Sequence, residues 1–122
     1  MVRGLGIDLV TISRIERLIE RYGSRFTDRL FTEREQSYCR RYARPGPYFA
    51  VRFAAKEAML KALGVPSGLR WHELEVVRDR GAPEVELHGG AERAAAALGI
   101  ERMLVTLTHE GDTAAAVVVA EG

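Results

Sequence analysis

Tyr48-Phe49-Ala50-Val51-Arg52-Phe53-Ala54-Ala55-Lys56-Glu57-Ala58-Met59-Leu60-Lys61-Ala62-Leu63-Gly64 is the stretch that organises this chain. No proline or glycine interrupts it before Gly64, and Pro66 follows, so the spacing predicts a helix over 48–63. The segment Arg44-Pro45-Gly46-Pro47 ahead of it reads as a loop. At 100° per residue, Val51, Ala55, Ala58 and Ala62 share one face, and Phe49, Phe53 and Leu60 lie opposite. A helix that is apolar on both faces is buried on both. The small residues let another element approach closely. In a chain of 122 residues, one of these faces is expected to be covered by another subunit.

Two charges sit on the flank of that helix, Glu57 and, one turn on, Lys61. Arg52 and Lys56 fall on the other flank. Glu57 and Lys61 fit an ordinary i,i+4 surface pair, which contributes about 0.2–0.5 kcal/mol. They also fit a partly buried carboxylate, which needs a cation such as Lys61 or a metal. Asp8 poses a similar choice. It interrupts the apolar run Ile7-Asp8-Leu9-Val10 at a strand end, as a helix cap would. It is equally a hard-oxygen ligand. Two carboxylates with phosphate oxygens and waters are a typical Mg²⁺ donor set.

Around this centre the chain alternates strand and helix signals. A strand closes at 7–10. Ile12, Ile15, Leu18, Ile19 and Tyr22 then recur at helical spacing, with Thr11 or Ser13 as the cap, Ser13 and Glu16 fitting a capping box, and Gly23 as the stop. Thr32 and Glu35 form a second capping box, opening a helix to about residue 42. Residues 74–77 and 84–87 alternate as strands around a turn at 79–83. An alanine-rich helix runs over 91–98. Strands at 103–108 and 113–120 flank a hairpin turn at 109–112. The expected architecture is one α+β domain, residues 1–122, with a small, mainly antiparallel sheet on a long central helix.

Composition narrows the function classes. There is no apolar run of about 18 residues, so no membrane span is expected, and the N-terminus lacks a signal peptide's apolar core. A single cysteine, Cys39, makes no internal disulfide, which favours a cytoplasmic setting. No Cys/His group has zinc-ligand spacing. The net charge of +1 hides an asymmetry. Residues 1–63 hold 13 Arg/Lys against 7 Asp/Glu, and residues 64–122 hold 5 against 10. The first half is therefore a surface for an acidic partner or a polyphosphate. Arg14, Arg17 and Arg21 line one face of the first helix, apart from Glu16 and Glu20. A nucleic-acid-binding domain using Tyr38, Tyr42 and Tyr48 is a second reading, disfavoured by that sorting of charge and by the acidic second half. An idle scaffold is a third.

The motifs in order are Gly6-Ile7-Asp8-Leu9-Val10 with Arg14, Arg52-Phe53-Ala54-Ala55-Lys56-Glu57-Ala58 with Lys61-Ala62-Leu63-Gly64, Trp71 with Leu74-Glu75-Val76, and Thr106-Leu107-Thr108-His109. Together they resemble the holo-acyl-carrier-protein synthase family, the small bacterial class of 4′-phosphopantetheinyl transferases, over nearly the whole chain. The resemblance implies that fold and a transferase of fatty acid biosynthesis. 4′-Phosphopantetheine would move from coenzyme A to a serine of apo acyl carrier protein, releasing adenosine 3′,5′-bisphosphate. It implies that Asp8 and Glu57 hold Mg²⁺, that Lys61 neutralises phosphate charge, and that Glu57, directly or through water, takes the serine proton. Arg52, Gly64, Pro66, His109 and Arg44 would contact the coenzyme. Arg14, Arg17 and Arg21 would dock the carrier protein. It also implies a homotrimer with sites between subunits, and no nucleic acid or membrane partner. Thr106 stands where serine is common in the family; both carry a hydroxyl.

Overall fold

The computed structural model describes residues 1–78 and 80–122. In chain order these form β1 (Val2–Thr11), α1 (Ile12–Tyr22), α2 (Ser24–Leu30), α3 (Glu33–Cys39), α4 (Gly46–Ala62), a 3₁₀ turn (Trp71–Glu73), β2 (Leu74–Val77), β3 (Glu84–Leu87), α5 (Gly89–Ala97), β4 (Arg102–Glu110) and β5 (Thr113–Glu121). The strands make two antiparallel sheets, β1-β5-β4 and the hairpin β2-β3. Asp79, in the turn expected before β3, lies outside the described residues.

The larger sheet packs on α4 because period two puts Gly4, Gly6, Asp8 and Val10 on one side of β1. Their neighbours on β5 are the buried Ala114, Ala116, Val118 and Ala120. The two glycines are steric necessities. A Cβ on Gly4 would lie 2.2 Å from the carbonyl oxygen of Ala62, and one on Gly6 would lie 1.8 Å from that of Ala58. Strand and helix backbones therefore touch, as the alanine face of α4 permits. On the opposite side α4 buries Phe49 and Met59, and Phe49 meets Phe31 edge-on at 5.0 Å. Each large side chain buried this way contributes about 1.5–3 kcal/mol.

α4 is buried by its own chain on its small-residue face, and Arg52 and Lys56, read as flank charges, are buried as well, while Phe53 and Leu60 of its other apolar face stay half-buried. A larger uncovered apolar surface is the outer face of the sheet. There Leu5, Ile7 and Leu9 of β1 are 65%, 61% and 67% exposed. They stand in register beside Val119, Val117 and Ala115 of β5. The alternation of β1 explains this: one face is fitted to a helix, and the other is apolar with nothing among the described residues to cover it.

Other boundaries shift for local reasons. α4 begins at Gly46, since Pro47 is tolerated in a first turn. α3 ends at Cys39, three residues short of the expected limit, and its Thr32–Glu35 capping box is formed on both sides. α2 was not expected from the sequence. It has no side-chain cap and starts at Gly23, the same residue that stops α1. The Ser13–Glu16 capping box does not form. Instead the β4–β5 turn seats the start of α1. Ile12 N–H donates to the Asp112 carbonyl at 2.8 Å and Ser13 N–H to the Asp112 carboxylate at 2.9 Å. Glu16 turns away to accept a forked bond from Arg44, at 2.8 and 2.9 Å. His109 is still in β4, paired with Ala114, so the hairpin turn is Gly111-Asp112. Glycine in its first place, at φ +59°, fits a II′ turn.

Candidate active site

α4 is buried over most of its circumference, and Phe53, Glu57, Leu60 and Lys61 form its one open stripe. The glycine-mediated contact with β1 brings Asp8 alongside that stripe. Lys61 Nζ donates to the Ile7 carbonyl at 2.9 Å and to Asp8 Oδ1 at 3.2 Å. The lysine thus ties helix to strand. Its ion-pair partner is Asp8, not Glu57, because the strand backbone lies against the helix at that turn. Asp8 is not a helix cap, since Asp112 fills that role.

Glu57 is half-buried. Desolvation, and next the nearby Asp8 carboxylate, hold its carboxyl above the ordinary carboxylate range; Lys61 and Arg14 oppose this without cancelling it. The site therefore combines two mutually repelling carboxylates, one lysine and the edge of the α1 arginine face. A hard divalent cation between Asp8 and Glu57 would relieve that repulsion, and the oxygen-only donor set suits Mg²⁺. Its remaining coordination would be left to phosphate oxygens and water.

The other expected site residues fall into separate groups. Gly64 (φ +79°) and Pro66 belong to the loop after α4. Arg44 and His109 lie towards the opposite end of that helix, where His109 meets the Tyr48 ring edge-on at 6.0 Å. Fourteen residues of helix separate Tyr48 from Ala62, about 21 Å at 1.5 Å per residue, and Gly64 lies beyond that end. A single chain does not bring these two groups together. Arg52 stands apart from both, about 140° around α4 from Glu57. Its guanidinium lies under the Tyr38 ring at 4.2 Å and donates to the Tyr48 carbonyl at 3.3 Å. Its Nε and Nη2 are buried without a partner among the described residues.

Arg14, Arg17 and Arg21 are exposed along α1, as expected. α2, hidden from sequence reading, adds Arg25 and Arg29 beside them. With Leu18, Tyr22, Phe26 and Trp71 these line a groove of about 450 Å³. The signal for the extra arginines was their helical spacing to Phe26 and Leu30, too short a pattern to stand alone. Tyr38, Tyr42 and Tyr48 use their faces on one another, with Tyr42 and Tyr48 stacked at 3.6 Å. That leaves little of them for bases.

Comparison with known proteins identifies the family. The profile of the 4′-phosphopantetheinyl transferase superfamily matches residues 4–118. The chain belongs to that superfamily. It is 48% identical over 124 residues to the holo-[acyl-carrier-protein] synthase of Geobacter sulfurreducens, covering 99% of this chain and 98% of the relative. It is 51% identical to that of Anaeromyxobacter sp. (strain Fw109-5), covering 100% and 97%. Among solved structures, the synthase from Neisseria meningitidis superposes with a TM-score of 0.85 at 36% identity, over 100% of both chains. The synthase from Helicobacter pylori, in complex with coenzyme A, gives 0.83 at 29% identity, over 96% and 99%. The fold is the phosphopantetheinyl transferase fold, and the resemblance read from the motifs is borne out.

Proposed function

We propose that this chain transfers 4′-phosphopantetheine from coenzyme A to a serine of apo acyl carrier protein, as a cytoplasmic, Mg²⁺-dependent step supporting fatty acid biosynthesis. The observation that carries the chemistry is the convergence of Asp8, Glu57 and Lys61 on one open stripe. In the reaction the serine oxygen bonds to the phosphorus that carries the pantetheine arm. The bond from that phosphorus to the bridging oxygen breaks, and adenosine 3′,5′-bisphosphate leaves. The serine proton passes to Glu57, directly or through water. Asp8 and Glu57 would hold Mg²⁺, which supplies Lewis-acid stabilisation of phosphate charge when bound. Lys61, anchored at Ile7 and Asp8, presents a fixed positive charge to the phosphates. Transfer of this type needs positioning and charge neutralisation more than a covalent nucleophile.

Gly64 and Pro66, Arg44 and His109, and Arg52 are proposed to hold the coenzyme. Two nitrogens of Arg52 have no partner among the described residues, and a phosphate that reached them would satisfy both. The separation between the first two groups supports a site completed by a second copy. The exposed row Leu5, Ile7 and Leu9 supplies the surface for it, and a closed homotrimer built on that face is the proposed assembly. The carrier protein is placed on Arg14, Arg17 and Arg21, extended by Arg25 and Arg29, with the groove beside Trp71 for an apolar side chain. Arg14 also acts on Glu57 through space, so docking surface and reacting carboxylate adjoin.

The test is incubation with coenzyme A, Mg²⁺ and an apo acyl carrier protein, followed by mass spectrometry. A carrier mass increased by one phosphopantetheinyl group, lost in a folded Glu57→Gln variant, is expected. An unmodified carrier overturns the assignment.

A further inference from the structure

Lys56, one residue before Glu57, has no part in the mechanism above and no access to solvent. Its Nζ lies 2.7 Å from Glu35 Oε1, and both side chains are fully buried. It also donates to the Trp71 carbonyl at 3.0 Å and to the Leu74 carbonyl at 2.8 Å. All three ammonium protons thus have acceptors. Glu35 is equally satisfied. Oε1 accepts from Thr32 N–H at 2.8 Å and Oε2 from Val76 N–H at 2.9 Å.

These bonds converge on one stretch of chain. The loop 64–70 leaves the C-terminus of α4, where Val65 N–H donates to the Leu60 carbonyl at 2.8 Å. It re-enters regular secondary structure at Trp71, whose carbonyl is held by Lys56 of the same helix. Both ends of the loop are therefore fixed to α4. Between them Val65, β-branched and 65% exposed, sits at φ +53°. Such a residue is a backbone outlier, and strain of this kind persists only where the surroundings over-determine it.

We infer that the Glu35–Lys56 pair is a positioning device that clamps the far end of loop 64–70 and keeps Val65 in its left-handed conformation, presenting the loop preformed to the coenzyme. The coenzyme part of this rests on the function proposed above; the clamp does not. Neither residue touches the reacting atoms, so the pair governs binding and leaves the chemical step largely alone. Buried ion pairs used to fix one arrangement among near-equivalent ones are known from other proteins.

The experiment compares the full-length protein with Glu35→Gln, with Glu35→Gln/Lys56→Met, and with that double variant carrying Val65→Gly. Removing both charges avoids leaving one buried and unpaired, so the double variant is the informative one, and Glu35→Gln serves should it not fold. Hydrogen exchange at amides 64–70 is expected to quicken about tenfold or more while the middle of α4 and β1 keep their protection. The KM for coenzyme A should rise about tenfold with kcat changed less than about threefold. Adding Val65→Gly, which adopts φ > 0 without strain, should recover part of the lost affinity. Glu35→Gln should move both readouts in the same direction by less. Unchanged loop exchange in a folded variant overturns the clamp, as does a uniform loss of protection across the molecule with kcat falling in step. If the wild-type protein does not turn over coenzyme A, the functional reading falls, and the exchange comparison still decides the clamp.

Discussion

Gly6 and Ala58 meet backbone to backbone: a Cβ placed on the glycine would lie 1.8 Å from the alanine's carbonyl oxygen. That contact sets the distance between β1 and α4. Asp8 lies two residues along the strand and Lys61 three along the helix, so it also sets the site.

Gly6→Ala is expected to cost about 3 kcal/mol or more, because a rigid backbone group, not a flexible side chain, blocks the added methyl. Chemical denaturation should show a lower midpoint with an unchanged slope. In whatever fraction stays folded, transfer activity should fall as Lys61 loses its hold on Ile7 and Asp8.

Glu57→Gln should stabilise the protein at neutral pH while abolishing transfer. Burial and Asp8 raise the folded-state pKa of Glu57 above its unfolded value. The favourable contribution of this group is therefore complete below the unfolded pKa of about 4.3, and lost as pH rises through the folded one. Thermal melts of variant and wild type should converge near pH 4 and separate towards pH 7, with the variant melting higher. A variant that melts lower throughout would mean that Glu57 is paired more strongly than the geometry shows.

Asp112→Asn should behave in the opposite sense. Its hydrogen bond from Ser13 holds the Asp112 carboxyl below its ordinary range at the start of α1. That stabilisation is present above the unfolded pKa of about 3.9 and disappears as pH falls through the folded value. The variant should melt lower at pH 7, with the gap closing in acid. Equal gaps at both pH values would assign the effect to the turn and not to the charge.

Cys39 should resist alkylation in the native protein. It is fully buried, and burial pushes its thiol up to about 12. At pH 8 very little thiolate is available. Iodoacetamide should label it only in denaturant, on the time scale of global unfolding.

Reversing charge at Arg14 or Arg25 should raise the KM for carrier protein and flatten its dependence on salt, leaving the KM for coenzyme A nearly unchanged. A change confined to coenzyme A would move the arginine face to the coenzyme.

Much of this molecule is legible without coordinates. The 3.6-residue period of 48–63, the Thr32–Glu35 capping box and the alternation in the last two strands each record a local preference that the fold keeps. The motifs of the proposed site were legible too, because Asp8, Glu57 and Lys61 stand inside short patterns specific to one family. Some features escaped because their causes are not local. α2 has too few turns to show a period. The start of α1 is capped by Asp112, about a hundred residues away in sequence, so Ser13 and Glu16 look like a box that never forms. Lys56 reads as a flank charge until α3 and β2 close over it.

The sequence by itself determined most of the helices and strands, since these follow from periodicity and residue type within a few turns of chain, and its motifs pointed to the family whose resemblance proposes Asp8, Glu57 and Lys61 for the chemistry. Only the tertiary structure decided which charges meet. It paired Lys61 with Asp8 and Lys56 with Glu35, and it left the outer face of the sheet apolar and exposed. The reason is geometric: two glycines let β1 lie against α4 closely enough to bury one face of the strand, and the strict alternation of a strand then turns Leu5, Ile7 and Leu9 outward.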